Sequence, residues 1–202
     1  MGLGVQNPRK GALREAVRAA RGGLSADERR ARSAAICRRV QRLKAFREAG
    51  TILAYYSVGS EVETGALVRA ALRAGKRVAL PVSLKKGRRL VFREICGLGG
   101  ELRAGLAGIP EPKRSCPVVR AAEADLILVP GTAFDPQGWR IGAGAGFYDR
   151  FLARARRATR IGLAFEVQMV PSVPHDPHDE RLDMIVTERR LIRCPARGKN
   201  AE

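Results

Sequence analysis

A chain of 202 residues and 21.9 kDa suits one compact domain over residues 1–202, and its 45% hydrophobic content is sufficient to fill a core. Lys and Arg number 38 against 20 Asp and Glu, so the net charge of +18 favours polyanionic partners: nucleic acid, phosphate-rich cofactors or multiply carboxylated metabolites. No apolar run approaches the ~20 residues that span a bilayer, and Cys37, Cys96, Cys116 and Cys194 lack the paired spacing of a zinc or dithiol motif.

The first six residues, Met1 to Gln6, lack the hydroxyl residue expected for myristoylation, and Glu15, Asp27 and Glu28 argue against a mitochondrial presequence. A cytoplasmic protein with structural thiols is expected. Residues 9–21 place Leu13, Ala16, Val17 and Ala20 at helical spacing, with Gly22-Gly23 as the stop. Ser25 and Glu28 form a capping-box pattern for a second helix to about residue 48, burying Ile36, Val40, Leu43 and Phe46. Residues 51–56 read as a strand. Thr64 is a candidate N-cap for a helix through Ala74, and Gly75 suits its C-terminal turn. Residues 77–81 form the next strand, completing a parallel strand–helix–strand unit.

A hairpin around Lys85-Lys86-Gly87 leads to strand 90–93, and Ile109-Pro110-Glu111-Pro112 is stiff and extended. Residues 125–130 form a continuous apolar strand of the kind found mid-sheet. A helix over 148–157 and strands over 159–164 and 184–187 complete an α/β fold. It is a mostly parallel sheet of about five or six strands flanked by helices, with a two-helix N-terminal arm.

The densest chemistry lies at Arg140-Ile141-Gly142-Ala143-Gly144-Ala145-Gly146-Phe147-Tyr148-Asp149-Arg150. Alternate glycines admit close backbone approach, and exposed N–H groups before a helix cradle phosphate. The loop matches neither the Walker pattern nor the dinucleotide fingerprint, and a tight surface loop is the alternative. Lys10 and Arg14 project from one helix face, either to clamp a polyphosphate or as a solvated basic surface. Glu61 follows a buried strand, where it either hydrogen-bonds an amino-heterocycle or favours the dipole of the next helix. His175-Asp176-Pro177-His178-Asp179, with Asp183 beyond, suggests oxygen ligation of magnesium by Asp179, or else a solvated polar loop.

In order and spacing these segments resemble the 5-formyltetrahydrofolate cyclo-ligase family, also called methenyltetrahydrofolate synthetases. The resemblance runs from Lys10-x-x-x-Arg14 through Tyr55, Glu61-Val62-Glu63-Thr64, Gly75-Lys76-x-Val78-x-Leu80-Pro81 and Ile109-Pro110-Glu111-Pro112. It continues in Val129-Pro130-Gly131, Phe134-Asp135, the Arg140–Arg150 loop, Ile161 through Glu166 with Gln168, and His178-Asp179 with Asp183. It implies ATP- and Mg2+-dependent conversion of 5-formyltetrahydrofolate to 5,10-methenyltetrahydrofolate, a ligase reaction forming a cyclic C–N bond. Phosphoryl transfer to the formyl oxygen would create a leaving group that the neighbouring folate amine displaces.

On this resemblance Lys10, Arg140, Tyr148 and Arg150 are the catalytic positions. Lys10 and Arg14, with Arg140, Ile141, Gly142, Ala143, Gly144, Ala145, Gly146, Phe147 and Tyr148, hold ATP. Tyr56, Glu61 and Ala143 through Phe147 face the folate, and Asp149 and Asp179 hold Mg2+. The expected partner is a small molecule, 5-formyltetrahydrofolate, with or without a polyglutamate tail. No specific nucleic acid and no membrane are expected, and a monomer is favoured. Ala143 stands where many members carry Arg, Lys or a bulky residue, Ala145 where Gly or Lys is usual, and Phe147 replaces a frequent Tyr. Ala145 matters only if its position needs positive φ. Two alternatives stay open: a catalytically silent paralogue that binds ATP or folate, and a basic nucleic-acid-binding protein.

Overall fold

The structure, a computed structural model, describes residues 8–197. The Met1–Gln6 segment considered for acylation lies outside them. Helix α1 (Pro8–Gly22) fully buries only Val17, which packs with Ala133, Ile141 and Val173. Ala16 and Ala20 are exposed, so the anticipated stripe is narrow and α1 is held by a small satellite cluster. Helix α2 (Ala26–Arg42) opens on the capping box: the Glu28 N–H donates to Ser25 Oγ and the Ser25 N–H to Glu28 Oε2. It is no arm, because Ile36, Cys37 and Val40 are buried in the main core; the two-helix arm reduces to α1 alone. Instead of continuing to residue 48, the helix breaks where Leu43 becomes extended, and α3 (Lys44–Glu48) turns Phe46 into the core.

Strand β1 (Thr51–Leu53) is buried throughout, and its pairing continues one residue further where the Ala54 N–H donates to the Ala79 carbonyl. Before α4 (Gly65–Arg73), Thr64 does not cap with its side chain. Its hydroxyl donates to the Tyr55 carbonyl at 2.6 Å and so ties together the ends of the loop carrying Glu61. Gly75, at φ 71°, closes α4: its N–H reaches the Leu72 carbonyl and that of Lys76 reaches Ala71, the expected C-terminal turn. Strand β2 (Arg77–Leu84) lies parallel to β1 and folds back through a tip with Gly87 at φ 74° into antiparallel β3 (Arg89–Ile95).

The short strands β4 (Leu102–Ala104) and β5 (Pro110–Pro112) pair apart from the main sheet, and β6 (Val118–Val119) edges β3. Strand β7 (Leu126–Val129) is fully buried between β1 and β10 (Thr159–Leu163). Between β7 and β10 come a hairpin of β8 (Ala133–Phe134) and β9 (Arg140–Ile141), then α5 (Phe147–Leu152), shorter than the helix expected over 148–157. Gly131 admits the Phe134 ring; a Cβ there would come within 2.5 Å of it. Strands β11 (Met184–Val186) and β12 (Leu191–Arg193) complete the order β12-β11-β10-β7-β1-β2-β3-β6.

The five central strands, β11 through β2, are mutually parallel, as a mostly parallel α/β sheet requires. Antiparallel edge strands widen it to eight, beyond the five or six anticipated. Two of them, β6 and β12, are too short for alternation to register in sequence. Because β1, β2 and β7 are parallel neighbours, the loops at their carboxyl ends emerge together along one edge.

Candidate active site

That edge holds a cavity of about 570 Å3. One wall is the glycine loop: Gly142, Gly144, Ala145 and Gly146. Gly144 (φ 107°) and Gly146 (φ 66°) take the left-handed conformations that glycine tolerates. Ala145 does not; Arg88 is the one non-glycine residue with positive φ among the described residues. The alanine therefore adds no backbone strain. Helix α1 supplies the opposite wall. Arg14 donates from Nε to the Gly142 carbonyl at 3.1 Å, and the Lys10 ammonium bonds the carboxylates of Asp176, at 2.6 Å, and Asp179. With Arg88, Arg140 and Arg150, five cations line the cavity. Lys10 and Arg14 thus line the cavity, each bonded to residues across it.

Arg140, only 2% exposed, donates from Nη2 to Asp149 Oδ1 at 3.0 Å, and the same oxygen accepts the Glu180 N–H at 3.3 Å. The Arg140 guanidinium also lies 5.8 Å from the Tyr148 ring centre. The Tyr148 hydroxyl is buried and has no hydrogen-bond partner among the described residues, and burial, reinforced by Glu61, pushes its pKa up. Ala143 is exposed, and Ala143, Phe147 and Tyr148 do not line this cavity. Tyr148 packs instead against the core cluster that holds Phe151 and Leu152.

Burial raises the Glu61 carboxyl pKa, opposed by the Val58 N–H, which donates to Glu61 Oε2 at 3.1 Å, and by the Arg21 charge. Arg21, near the end of α1, anchors beside it by donating to Ser60 Oγ at 2.9 Å. Glu61 does not begin α4, which starts at Gly65. Tyr56 is half-buried and packs against the main core.

For Lys10, burial lowers the pKa, but the hydrogen bonds to Asp176 and Asp179 outweigh it and hold the ammonium above its ordinary value. Its bond in turn lowers Asp176. The ligand atoms of Asp176, His178 and Asp179 lie within 4.8 Å of one another. Two carboxylates beside a cavity lined by cations fit a hard divalent cation, which prefers oxygen donors. The motif residues Asp135, Gln168 and Asp183 do other work. Asp135 accepts the N–H groups of Gln137, Trp139 and Val173, Gln168 clamps the carbonyls of Gly131 and Thr132, and Asp183 accepts from Arg160 and Arg197.

A cyclo-ligase model, that of the 5-formyltetrahydrofolate cyclo-ligase family, matches residues 6–188. The chain belongs to that family. It is 30% identical over 194 residues to the probable 5-formyltetrahydrofolate cyclo-ligase of Caenorhabditis elegans, covering 91% of this chain and 94% of that one. The Mycolicibacterium smegmatis 5-formyltetrahydrofolate cyclo-ligase is 36% identical over 146 residues, covering 70% and 75%. The solution structure of 5,10-methenyltetrahydrofolate synthetase from Aquifex aeolicus superposes with a TM-score of 0.82 at 31% identity, covering 96% of each chain.

As a cyclo-ligase family member the protein is a ligase, and the positions that the family resemblance assigned separate into two groups. Lys10, Arg14, Arg140, Ile141, Gly142, Gly144, Ala145, Gly146, Asp149, Arg150 and Asp179 share the cavity. Tyr56 and Glu61 lie beyond it, on the loop after β1. Asp176 and His178 join Asp179, although only Asp179 had been singled out as a ligand. Arg88 was missed altogether; its one signal is the basic turn Lys85-Lys86-Gly87-Arg88-Arg89, and nothing local says what a hairpin tip will face. A second cavity, of about 690 Å3, draws on the same hairpin tip and is lined by Lys85, Lys86, Arg89, Arg93, Arg103 and Arg114 around the buried carboxylate of Glu111. All four cysteines are free thiols, and no helix among the described residues is long and apolar enough to cross a membrane.

Proposed function

We propose that this chain closes 5-formyltetrahydrofolate to 5,10-methenyltetrahydrofolate with ATP and Mg2+. The observation that carries the reading is the meeting, in one cavity, of Lys10 and Arg14 with Gly144, Asp149 and Asp179, residues from opposite ends of the chain. ATP supplies the phosphoryl group that makes the formyl oxygen a leaving group, and Mg2+ neutralises charge on its phosphates.

The protein's part is positioning and charge. Lys10 and Arg14 on one side, and Arg140 and Arg150 on the other, bind phosphate oxygens, Arg as a fork and Lys as a point charge. The N–H groups of the glycine loop add donors without side chains in the way. Asp149 and Asp179, joined by Asp176, hold the metal. Arg140 fixes the Asp149 carboxylate by their buried ion pair, so its orientation is set before substrate arrives. Glu61 accepts from the pterin amino and ring N–H groups, and Tyr56 lines the folate side. The Tyr148 hydroxyl, buried and outside the phosphate cavity, has a hydrogen bond to give, and the formyl oxygen of a folate bound on the Glu61 side is the acceptor that would satisfy it. The lysines and arginines of the second cavity offer counter-charges for the carboxylates of a polyglutamylated substrate.

The test is appearance of the methenyltetrahydrofolate absorbance from purified protein, ATP, Mg2+ and 5-formyltetrahydrofolate. Product formation that fails when Asp149 is replaced by Asn, in a protein that stays folded, supports the assignment. No product from either protein rejects it.

A further inference from the structure

We propose that Arg160 is a positioning residue, a buried clasp that locks the Asp149 side of the cavity to the segment carrying Asp176, His178 and Asp179. The inference rests on the metal-holding role given to Asp149 and Asp179 above. Arg160 lies on β10, and its side chain is 2% exposed. Its Nη2 donates to the Leu152 carbonyl at the end of α5, at 2.6 Å. Its Nη1 donates to Glu180 Oε2 at 2.7 Å and to the Arg181 carbonyl at 3.1 Å. One guanidinium therefore joins the helix bearing Asp149 to the residues that follow Asp179.

Glu180 is gripped twice. Its carboxylate pairs with Arg160, while its backbone N–H donates to Asp149 Oδ1 at 3.3 Å. Asp179, its immediate neighbour, cannot move relative to Asp149 without straining one of these bonds. The Arg160 Nε is buried with no partner among the described residues, so the side chain is not optimally satisfied where it lies. A well-packed apolar side chain would avoid that desolvation cost, and what a buried ion pair adds is a defined geometry. Arg197 offers a built-in comparison. It also anchors this neighbourhood, through Asp183 Oδ1 and the carbonyls of Arg156 and Ala158, but touches neither Glu180 nor α5.

The experiment compares Glu180→Gln, Arg160→Met and Arg197→Gln with the wild-type protein. Mn2+ binding without nucleotide is measured by electron paramagnetic resonance, and amide exchange is followed at residues 176–182. Because Trp139, the chain's single tryptophan, stacks on His175 at 3.9 Å, its emission gives a further readout of this segment. Glu180→Gln and Arg160→Met should weaken Mn2+ about 10-fold or more, the usual effect of removing a partner that orients ligands. They should also accelerate exchange at 176–182 and raise KM for ATP while leaving KM for the folate within about twofold. Arg197→Gln should lower the melting temperature without these changes.

Wild-type Mn2+ affinity and exchange in folded Glu180→Gln would overturn the proposal, as would equal losses in Arg197→Gln. If Arg160→Met does not fold, Glu180→Gln decides alone. If the wild-type protein gives no methenyl product, the functional reading falls, yet metal binding and exchange still decide whether the clasp exists.

Discussion

Replacing Lys10 by Met should move the affinities for nucleotide and for metal in opposite directions. The Lys10 ammonium sits between the carboxylates of Asp176 and Asp179, and in the reaction it is assigned to the ATP phosphates. A hydrogen bond between charged groups contributes about 1.5–3 kcal/mol. At about 1.4 kcal/mol per tenfold, losing it should raise KM for ATP roughly 10- to 100-fold. For a metal ion alone the same ammonium is a competitor. The Lys10–Asp179 pair is 14% exposed on both sides, whereas Asp176 is 38% exposed and more screened. Discounted for solvent, the two pairs together oppose the metal by about 1 kcal/mol or slightly more. Lys10→Met should therefore bind Mn2+ without nucleotide roughly 5- to 10-fold more tightly. Initial rates of methenyltetrahydrofolate formation against ATP concentration give the first quantity, and Mn2+ titration the second. If both affinities fall together, or neither changes, the ammonium does not bridge the metal and phosphate positions and the reasoning fails.

Asp149→Ala should strip a 2%-exposed Arg140 of its carboxylate and cost about 3–5 kcal/mol of stability, read as a large drop in melting temperature. Asp149→Asn should stay folded while turnover falls by at least about 100-fold. Gly144→Ala forces a side chain onto φ 107°, at about 1–3 kcal/mol, so melting temperature or ATP affinity should drop; Ala145→Gly, at a position without positive φ, should leave KM for ATP within about twofold. Glu61→Gln should raise KM for the folate roughly 10- to 100-fold, and it carries a pH signature. Burial raises the folded-state carboxyl pKa above the ordinary 4.5, so both states are protonated below that value. Stability is then lost as pH rises from 4.5 through the folded value. The variant should accordingly melt above wild type at neutral pH, with the difference vanishing in acid. Scanning fluorimetry across pH checks this, and a lower melting temperature at neutral pH refutes it.

Local chemistry made much of the molecule legible. The capping box at Ser25, the positive-φ turn at Gly75 and the apolar run of β7 are short-range devices whose causes lie within a few residues. The order of motifs likewise pointed to the family and to Lys10, Arg14, Glu61, the glycine loop and Asp179. Thr64 stands at the N-cap of α4 as expected, although the Tyr55 carbonyl takes its hydroxyl. Where prediction erred, a tertiary contact had overruled a local preference. The second helix has continuous helical spacing, but it breaks at Leu43 and Phe46 turns into the core.

The amino-acid sequence on its own determined the central strands and the helices that flank them, and which residue types are available to meet phosphate and metal. Only the tertiary structure decided that Arg88 faces the cavity beside the glycine loop, that Lys10 lies between Asp176 and Asp179, and that Arg160 joins α5 to Glu180. Helical and strand periodicities are set by neighbours along the backbone. The partner of a charged side chain is set by which elements the sheet order brings together, and between Lys10 and Asp179 that separation is 169 residues.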